Sequence, residues 1–445
     1  MNTVASVDRP PQGSSGPGKS PPPRWMSWCV FILPAVFYLA AFYLRSSPAV
    51  MTGELMRSFG ITAAQLGGLS ASYYYAYVLM QIPTGVLVDT WGPRKLLAWG
   101  GIVAAIGTLT FGLTGNFAVA SSARALTGAA TAVGWVITIK LATHWFPARM
   151  FALLTGLALF TGNIGAIMAQ VPLRLLIEHF DWRTVIIASA FVILAIGLIG
   201  RAVVRNDPSE RGYLGYAHAS LPGRNEKSIG ELLRGFLRIF AFRNIWLIFF
   251  AQGGFVGSVL AFTALWGPPF LRARFNLSPA SAAAVCTVMS VCWACASPIA
   301  GYLSDRIGRR KPVYLGGAIL AAAGWASLFY LPGVPLPMFI GIAAVTGFAC
   351  GAVIIGFAFG KESVPIRFLG SVTGTLNMGN MIGPTLLQPA IGWVLDQRWN
   401  GQLSNGLRVY STGAFQMGFL LIVGWSLLTC VLIALTTETH CRQTA

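Results

Sequence analysis

Two short segments of this chain repeat each other: GVLVDTWGPRK at residues 85–95 and GYLSDRIGRRK at residues 301–311. They align without a gap at an offset of 216 residues, and each follows the second long apolar run of its half of the chain. The matching residues include Gly85, Asp89, Gly92, Arg94 and Lys95 in the first copy and Gly301, Asp305, Gly308, Arg310 and Lys311 in the second. The repeat indicates a chain built from two related halves.

Long apolar runs surround both copies. The chain has 445 residues, of which 55% are hydrophobic and 10% are charged, whereas soluble proteins carry about 25% charged residues. Runs of about 20 apolar residues can cross a bilayer as helices, while the strands of a membrane barrel alternate over about 10 residues. The sequence therefore predicts an all-α integral membrane protein with twelve transmembrane helices, in two six-helix pseudo-symmetric halves around a central cavity. The expected spans are 26–50, 63–88, 96–114, 118–144, 151–173, 184–204, 244–270, 280–303, 313–331, 337–360, 370–395 and 413–436.

The polar segments give the domain boundaries. Residues 1–25 are rich in Pro, Gly and Ser and are predicted to form a disordered cytoplasmic tail. Within the central loop, SIGELLRGFLRIFAF has apolar residues at helical spacing with basic residues between them, which is typical of a helix on the membrane surface. The expected order after the tail is a bundle at 26–204, a central cytoplasmic loop at 205–243, a second bundle at 244–436 and a cytoplasmic tail at 437–445.

The chain is strongly basic, with a net charge of +18. Most of its 31 Lys and Arg residues fall in loops on one side of the predicted spans. By the positive-inside rule that side is cytoplasmic, which places both termini inside. We therefore expect a multi-pass protein of the bacterial inner membrane. The basic residues do not alternate with aromatic ones in a pattern typical of nucleic-acid binding, so the expected partner of this charge is the lipid bilayer, and no nucleic acid is expected.

The pattern G-x-x-x-D-x-x-G-x-R-K after the second and eighth spans resembles the signature loop of the major facilitator superfamily. The resemblance covers about residues 26–436 and implies a transporter whose two halves rock around a central site. Thr90 departs from the family pattern, since a basic residue is common at that position. We expect a monomer. The resemblance implies that the loops act as conformational latches, through Gly85, Asp89, Gly92, Arg94, Lys95, Gly301, Asp305, Gly308, Arg309 and Arg310.

An arginine interrupts the first apolar run, in FYLRSSPAV at residues 42–50. A base inside a span is costly unless something pairs with it, and it marks a functional site by default. The 13 carboxylates lie in loops or near span ends, so the natural partner of Arg45 is an anion that comes and goes. YLRSSPAVM also resembles the first helix of organic-anion and organophosphate transporters of this superfamily, in which an arginine binds the substrate. Two alternatives are an arginine that reaches the membrane surface and one that pairs with Glu54.

Polar residues in other spans are further candidates for the substrate site. Tyr73, Tyr77 and Gln81 recur at a spacing of four residues and share one face of a helix. Each polar group can instead form an ordinary bond between helices, and Lys140 can extend to the membrane surface. The predicted substrate-binding set is Arg45, Tyr73, Tyr77, Gln81, Lys140, Asn163, Gln252, Asn377 and Asn380.

Three charged residues are candidates for energy coupling: Arg124, Glu54 and Glu362. Arg124 begins a run that resembles the family's span-four motif, which is linked to proton coupling or to helix packing. Moving an anion inward against a negative-inside potential costs about 2.3 kcal/mol per charge for each 100 mV. This cost favours uptake coupled to protons, with exchange of one anion for another as the alternative.

The leading hypothesis is a secondary active transporter of a small organic anion: a carboxylate, a sugar acid or a sugar phosphate. An exporter of drugs or siderophores and a non-transporting membrane sensor are the alternatives. An exporter of cationic drugs needs an acid in the core of the membrane, and the sequence shows none there. An enzyme is not expected, because the four histidines are scattered and no nucleotide loop, metal cluster or nucleophile motif is present. Neither a cofactor nor a metal is expected.

Overall fold

The computed structural model describes residues 20–216, 238–365, 368–404 and 406–443. The first half contains α1 (Arg24–Ser46), α2 (Thr52–Phe59), α3 (Ala63–Thr90), α4 (Pro93–Leu113), α5 (Phe117–Thr131), α6 (Gly134–Trp145), α7 (Phe151–Met168), α8 (Val171–His179) and α9 (Trp182–Val203). The second half contains α10 (Arg243–Ala261), α11 (Gly267–Phe275), α12 (Pro279–Ile307), α13 (Lys311–Tyr330), α14 (Leu336–Cys350), α15 (Val353–Glu362), α16 (Leu369–Gln397) and α17 (Thr412–Ala434).

Shorter elements complete these spans. Three 3-10 turns cover Ser47–Val50, Ala148–Met150 and Pro208–Arg211, and a π-helical turn at Phe262–Trp266 joins α10 to α11. Strands β1 (Leu403–Ser404) and β2 (Leu407–Arg408) pair antiparallel between α16 and α17. The helices begin and end within a few residues of the predicted spans; the fifth span is the exception, because its path continues through α8 to His179.

Among the described residues, ten helical runs are long and apolar enough to cross a membrane. Two further helices, α3 with 28 residues and α16 with 29, are equally long and less apolar. They pack against each other where the two halves meet, so they face protein more than lipid. Elsewhere large apolar side chains point outward; Phe191 on α9 and Leu427 on α17 are 59% and 55% exposed, as expected for lipid-facing positions. The predicted fold class, an all-α membrane protein with two related halves, is confirmed.

Close helix packing inside the halves uses both small residues and clusters of aromatic residues. Gly101 of α4 lies against Gly197 of α9, where a Cβ would come within 2.6 Å of the opposing Cα. In the second half, Phe262 of the π-helical turn contacts Trp325, Phe329 and Phe419 with ring centroids 5.6–5.9 Å apart. Small residues let membrane helices approach closely, and the aromatic cluster fixes the π-helical turn in place.

The antiparallel pair α3 and α16 defines the two faces of the molecule. Ala63 lies beside Asp396 at one end of the pair, and Gln81 lies beside Asn377 nearer the other. The helix ends at Thr90 and Leu369 therefore lie on the same side of the molecule as both repeated loops. We call this side the motif face and the other side the opposite face. The halves also meet through Ser47–Val50, the π-helical turn, α8 and α12. Several of these elements lie toward the opposite face, so the described state is closed there.

Two segments predicted to be loop or tail are packed on the motif face. Residues 204–216 follow α9, and there Asn206 accepts a hydrogen bond from the backbone N–H of Arg94 at 2.9 Å. Residues 435–443 follow α17, and there Glu438 accepts bonds from the N–H groups of Arg310 and Lys311 at 2.9 Å each. The described part of the predicted C-terminal tail is thus tied to the second bundle. Residues 1–19 of the predicted N-terminal tail and most of the predicted surface helix lie outside the described residues, while Arg24 and Trp25 at the end of that tail already belong to α1.

Candidate functional site

Arg45 lies near the end of α1, where the two halves meet. It is 3% exposed, and its guanidinium carbon sits 3.8 Å from the centroid of the Phe42 ring. Its Nη1 lies 3.8 Å from Met381 Sδ of α16, and its buried Nε has no hydrogen-bond partner among the described residues. A thioether is a weak acceptor, so this buried cation is incompletely satisfied.

Glu54, the acid proposed as an alternative partner of Arg45, is bound elsewhere. Its Oε1 lies 2.6 Å from Arg174 Nη1 of α8. Arg174 also contacts Glu178 at 3.1 Å and the carbonyl oxygen of Val50 at 2.9 Å. In the described structure Arg45 is therefore buried, and Glu54 pairs with Arg174 and not with Arg45.

Arg124 of α5 is a second buried guanidinium on the same side of the first half. It is 3% exposed, and its Nη1 donates to the carbonyl oxygen of Leu44 at 2.7 Å. Its guanidinium carbon is 5.1 Å from the Tyr73 ring centroid, and its Nε and Nη2 have no hydrogen-bond partner among the described residues. Because Leu44 directly precedes Arg45, the two cations border one region.

Tyrosines from α3 line this region. Tyr73 stacks on Tyr77 with centroids 6.2 Å apart, and its hydroxyl lies 2.6 Å from Thr131 Oγ1. Tyr74 is completely buried, and its hydroxyl faces the side chain of Gln388 on α16. It lies close enough to Arg45 and Arg124 for both charges to act on it. Tyr74 is absent from the predicted set, although its spacing of seven residues from Gln81 puts both on one face of α3.

Amides from both halves lie along the same interface. Asn377 Nδ2 of α16 donates to Gln81 Oε1 of α3 at 3.0 Å, a bond between the halves. Asn380 is 7% exposed, and its Oδ1 has no hydrogen-bond partner in the described parts of the chain. One turn of α16 thus carries an unpartnered amide oxygen beside Met381, the residue that contacts Arg45.

Gln252 of α10 is fully buried in the second half. Neither side-chain polar atom has a hydrogen-bond partner in the part of the chain that the structure describes. Gly356 lies close to both Gln252 and Tyr314, because a Cβ at this glycine would be 2.5 Å from Gln252 Nε2 and 2.8 Å from Tyr314 Oη. These two polar groups are therefore neighbours. Buried polar groups without partners are uncommon in native proteins and usually indicate water, an ion or a ligand.

Two predicted substrate ligands have other contacts. Lys140 Nζ of α6 lies 2.6 Å from Asp89 Oδ1 and 3.1 Å from the carbonyl oxygen of Val88, on the motif face. Asn163 Nδ2 donates to the carbonyl oxygen of Leu159 on its own helix at 3.0 Å. The described contacts bring neither side chain to Arg45, and we leave both out of the proposed site.

The repeated loops form different contacts in the two halves. In the second copy Arg310 bonds to Asp305 at 2.5 Å and to Glu362 at 2.7 Å. Glu362 is therefore held by Arg310, which argues for a structural role rather than for coupling. In the first copy Arg94 Nε donates to the carbonyl oxygen of Arg201 at 2.9 Å. Gly92 and Gly308 have φ values of 79° and 70°, a conformation that favours glycine, so the paired glycines serve as turn residues.

Comparison with known proteins identifies the family. A model of the Major Facilitator Superfamily matches residues 30–270 and 256–443. The chain is 23% identical over 437 residues to a glycerol-3-phosphate transporter of Bacillus subtilis (strain 168), which covers 93% of each chain. It is 22% identical over 430 residues to a probable galactarate/D-glucarate transporter of Escherichia coli (strain K12), with 87% and 88% of the chains covered.

A third relative and a solved structure extend the comparison. The chain is 22% identical over 308 residues to a probable hexose phosphate transport protein of Chlamydia pneumoniae, covering 65% of this chain and 68% of that one. A bacterial homologue of the human lysosomal transporter Spinster superposes with a TM-score of 0.73 at 18% identity, covering 93% and 96% of the chains. The chain belongs to the Major Facilitator Superfamily and is a multi-pass membrane transport protein, not an enzyme.

Proposed function

We propose that this protein is a secondary active transporter that takes up a small organic anion, with Arg45 as the residue that binds the anion. The observation that carries the proposal is the Arg45 guanidinium, which is 3% exposed where the two halves meet and whose Nε has no hydrogen-bond partner among the described residues. A guanidinium can hold a carboxylate or phosphate through two parallel bonds. Its contact with Met381 of the other half is weak, so an anion can replace it at low cost.

The second buried cation favours a substrate with two negative charges. Arg124 leaves Nε and Nη2 without partners among the described residues, and it borders the same region as Arg45 through Leu44. No described carboxylate is recorded in an ion pair with either arginine. The relatives named above carry hexose phosphate, galactarate or glucarate, and glycerol 3-phosphate. These are phosphate monoesters and dicarboxylates, which match two neighbouring guanidinium groups.

The polar side chains around the arginines would recognise the uncharged part of the substrate. Asn380 presents a buried amide oxygen without a partner among the described residues, and the buried Tyr74 hydroxyl faces the same interface. Gln81 and Asn377 bond to each other across the halves, so binding in this region can favour one arrangement of the halves over another. Alternating access requires such a difference in affinity between states.

We propose that uptake is coupled to protons that arrive on the substrate. Glu54 and Glu362, the acids considered for this role, are held in ion pairs inside their own halves. A phosphate monoester has a second pKa of about 6 and can carry a proton itself. Neutralising charge lowers the cost of inward movement against a negative-inside potential. The motif face, to which the basic loops belong, would be the cytoplasmic face of a bacterial inner membrane.

Uptake into proteoliposomes tests the proposal. Labelled glycerol 3-phosphate, glucarate and glucose 6-phosphate would be offered to wild type, Arg45→Gln and Arg24→Gln, with and without an inward proton gradient. Arg24 begins the same helix and is exposed, so its replacement controls for loss of a charge from α1. We expect saturable uptake of at least one anion that the gradient raises, lost in Arg45→Gln and kept in Arg24→Gln.

Other outcomes would redirect or overturn the proposal. Uptake that survives in Arg45→Gln would show that this arginine is not the anion ligand. Uptake that depends on anion loaded inside, with no effect of the proton gradient, would show exchange and not symport. Movement of cationic dyes with no movement of any anion would show an exporter.

A further inference from the structure

A carboxylate at the opposite face joins the two halves. Asp396 lies in the last turn of α16, and its Oδ2 accepts from the backbone N–H of Ala64 at 2.8 Å. Its Oδ1 accepts from the N–H of Ala63 at 3.3 Å. Both donors belong to the first turn of α3, in the other half. Within its own half, Asp396 Oδ1 accepts from Tyr410 Oη at 2.6 Å and from Arg408 Nη1 at 3.2 Å.

These bonds provide acceptors for backbone N–H groups in the first turn of α3. Residues of α3 and its N-cap provide acceptors for only some of them. Thr62 and Gln65 form a reciprocal capping box, in which each side chain accepts from the other's backbone N–H. The N–H groups of Ala63 and Ala64 are left over, and Asp396 accepts from both. A helix N-terminus carries a partial positive charge, so a carboxylate is the matching group. The helix can form without Asp396, but its first turn is fully bonded only when the halves are together.

The backbones approach closely enough for these bonds because each half contributes a glycine. A Cβ on Gly67 of α3 would lie 2.5 Å from the carbonyl oxygen of Gln388, and a Cβ on Gly392 of α16 would overlap the backbone of Ala63. Tyr410 adds to the junction, since its hydroxyl lies 3.2 Å from the N–H of Ala63. At this end of the interface the backbones of α3 and α16 are therefore in close contact.

The other ion pairs of described carboxylates stay within one half. Glu54 and Glu178 bind Arg174, Asp89 binds Lys140, and Asp207 lies beside His144, all in the first half. Asp305 and Glu362 bind Arg310 in the second half. Such pairs survive a rigid movement of one half against the other. The two bonds from α3 to Asp396 do not.

We propose that Asp396 is the latch that holds the opposite face closed and that its release from α3 opens this face during transport. Arg408 and Tyr410 position the carboxylate and keep it partnered after release, while water takes over the two backbone N–H groups. A bond that exchanges with water contributes modestly to net stability, which suits a contact that must open in every cycle. This inference rests on the proposed function for its place in a transport cycle; the junction itself does not depend on which substrate moves.

Hydrogen–deuterium exchange of the purified protein tests the latch without a substrate. The variants would be Asp396→Ala and Asp396→Asn, and the matched control would be Asp181→Ala. Asp181 caps α9 at the opposite face by accepting from Arg183 N–H at 2.9 Å, within one half. The deciding segments are 167–173 and 262–268, because Gln170 Nε2 donates to the carbonyl oxygen of Thr263 at 2.9 Å and joins the halves away from Asp396.

We expect exchange in 61–67, 167–173 and 262–268 to become about three- to tenfold faster in Asp396→Ala, the range that matches the loss of a hydrogen bond. Asp396→Asn keeps the size of the side chain and should show a smaller rise in the same segments. Asp181→Ala should affect only the start of α9. Faster exchange confined to 61–67 would show that Asp396 is merely a local cap, and unchanged exchange everywhere would show that it holds nothing closed.

The readout separates this inference from the proposed function. If wild type transports no anion but Asp396→Ala speeds exchange in the remote segments, the latch stands and the substrate assignment fails. If anion uptake depends on Arg45 but the remote segments do not respond to Asp396→Ala, the latch fails alone. Asp396→Asn keeps the test valid if the alanine variant does not fold.

Discussion

The two repeated loops have the same residues at the matching positions and different partners in the structure. In the second copy Arg310, whose side chain is 9% exposed, lies between Asp305 and Glu362. In the first copy Arg94 bonds to a backbone carbonyl, and Asp89, whose side chain is 73% exposed, pairs with Lys140. The second loop thus places Arg310 in a buried ion pair with Glu362, although the Asp305 side chain is 66% exposed. The ion pair of the first loop lies nearer the surface.

The difference originates outside the repeat. The second half supplies an acid, Glu362 at the end of α15, while the first half presents a base, Lys140 in α6. The segments after the last helix of each half differ in the same way, because Glu438 caps α13 with a carboxylate and Asn206 caps α4 with an amide. Identical loop residues therefore do not imply identical contacts, and we infer that the second half is the more rigid body at the motif face.

The largest expected effect comes from breaking the Arg310–Glu362 pair of the second copy. Replacing Arg310 with alanine leaves Glu362, whose side chain is 14% exposed, without its cation, and breaking a buried ion pair costs about 3–5 kcal/mol. Arg94→Ala is the matched change in the first copy and should cost much less, because Arg94 has a backbone carbonyl as partner. Thermal unfolding of the purified variants measures both. Equal losses of stability would contradict the difference between the halves.

A smaller effect on stability is expected from the two helix caps, Glu438 on α13 and Asn206 on α4. Their contributions should differ in their dependence on pH. Burial raises the pKa of Glu438, but bonds from the N–H groups of Arg310, Lys311, His440 and Thr439 outweigh it, so its pKa lies below the ordinary value. A carboxyl with a lowered pKa stabilises the fold at neutral pH, and this contribution disappears as the pH falls through the folded-state pKa. Loss of a cap costs about 1 kcal/mol.

The measurement is the thermal stability of Glu438→Gln and Asn206→Ala between pH 7 and pH 3. The difference between wild type and Glu438→Gln should shrink toward the acidic end, because the wild-type carboxyl becomes neutral there. The difference between wild type and Asn206→Ala should stay nearly constant, since an amide does not titrate in this range. A parallel pH response of both variants would show that the Glu438 charge does not determine the cap.

The smallest effect is expected at the exposed pair of the first copy. Asp89 and Lys140 are partly to largely exposed, and such surface pairs contribute about 0.2–1 kcal/mol. A double-mutant cycle with Asp89→Asn and Lys140→Gln, measured by thermal unfolding in low and high salt, should give a coupling in this range that salt weakens. A coupling of several kcal/mol that salt does not affect would show that this pair behaves like the buried Arg310–Glu362 pair.

Sequence reasoning predicted the fold well because hydropathy, run length and the repeat are local signals. Polar residues lower the hydropathy of α3 and α16. Three of them, Tyr73, Gln81 and Asn377, are also predicted substrate ligands. Sequence spacing also placed Arg45 and Arg124 in spans without nearby acids, and the structure shows both buried with unpartnered N–H groups.

The rest depends on which distant residues the fold brings together. Nothing local links Asp396 to Ala63, Glu438 to Lys311 or Glu54 to Arg174, because each pair joins segments far apart in the chain. For the same reason the sequence does not pair Lys140 with Asp89 or Glu362 with Arg310, since the partners lie in other segments of the chain.

We propose that the substrate anion is the partner of the buried Arg45 guanidinium. Equilibrium binding of radiolabelled glycerol 3-phosphate or glucarate to the purified protein tests it most directly, with Arg45→Gln and Arg24→Gln in parallel. We predict saturable binding to wild type and Arg24→Gln and a loss of at least about tenfold in affinity for Arg45→Gln, the size expected for a charge-assisted bond of about 1.5–3 kcal/mol. Unchanged affinity in Arg45→Gln would contradict the account.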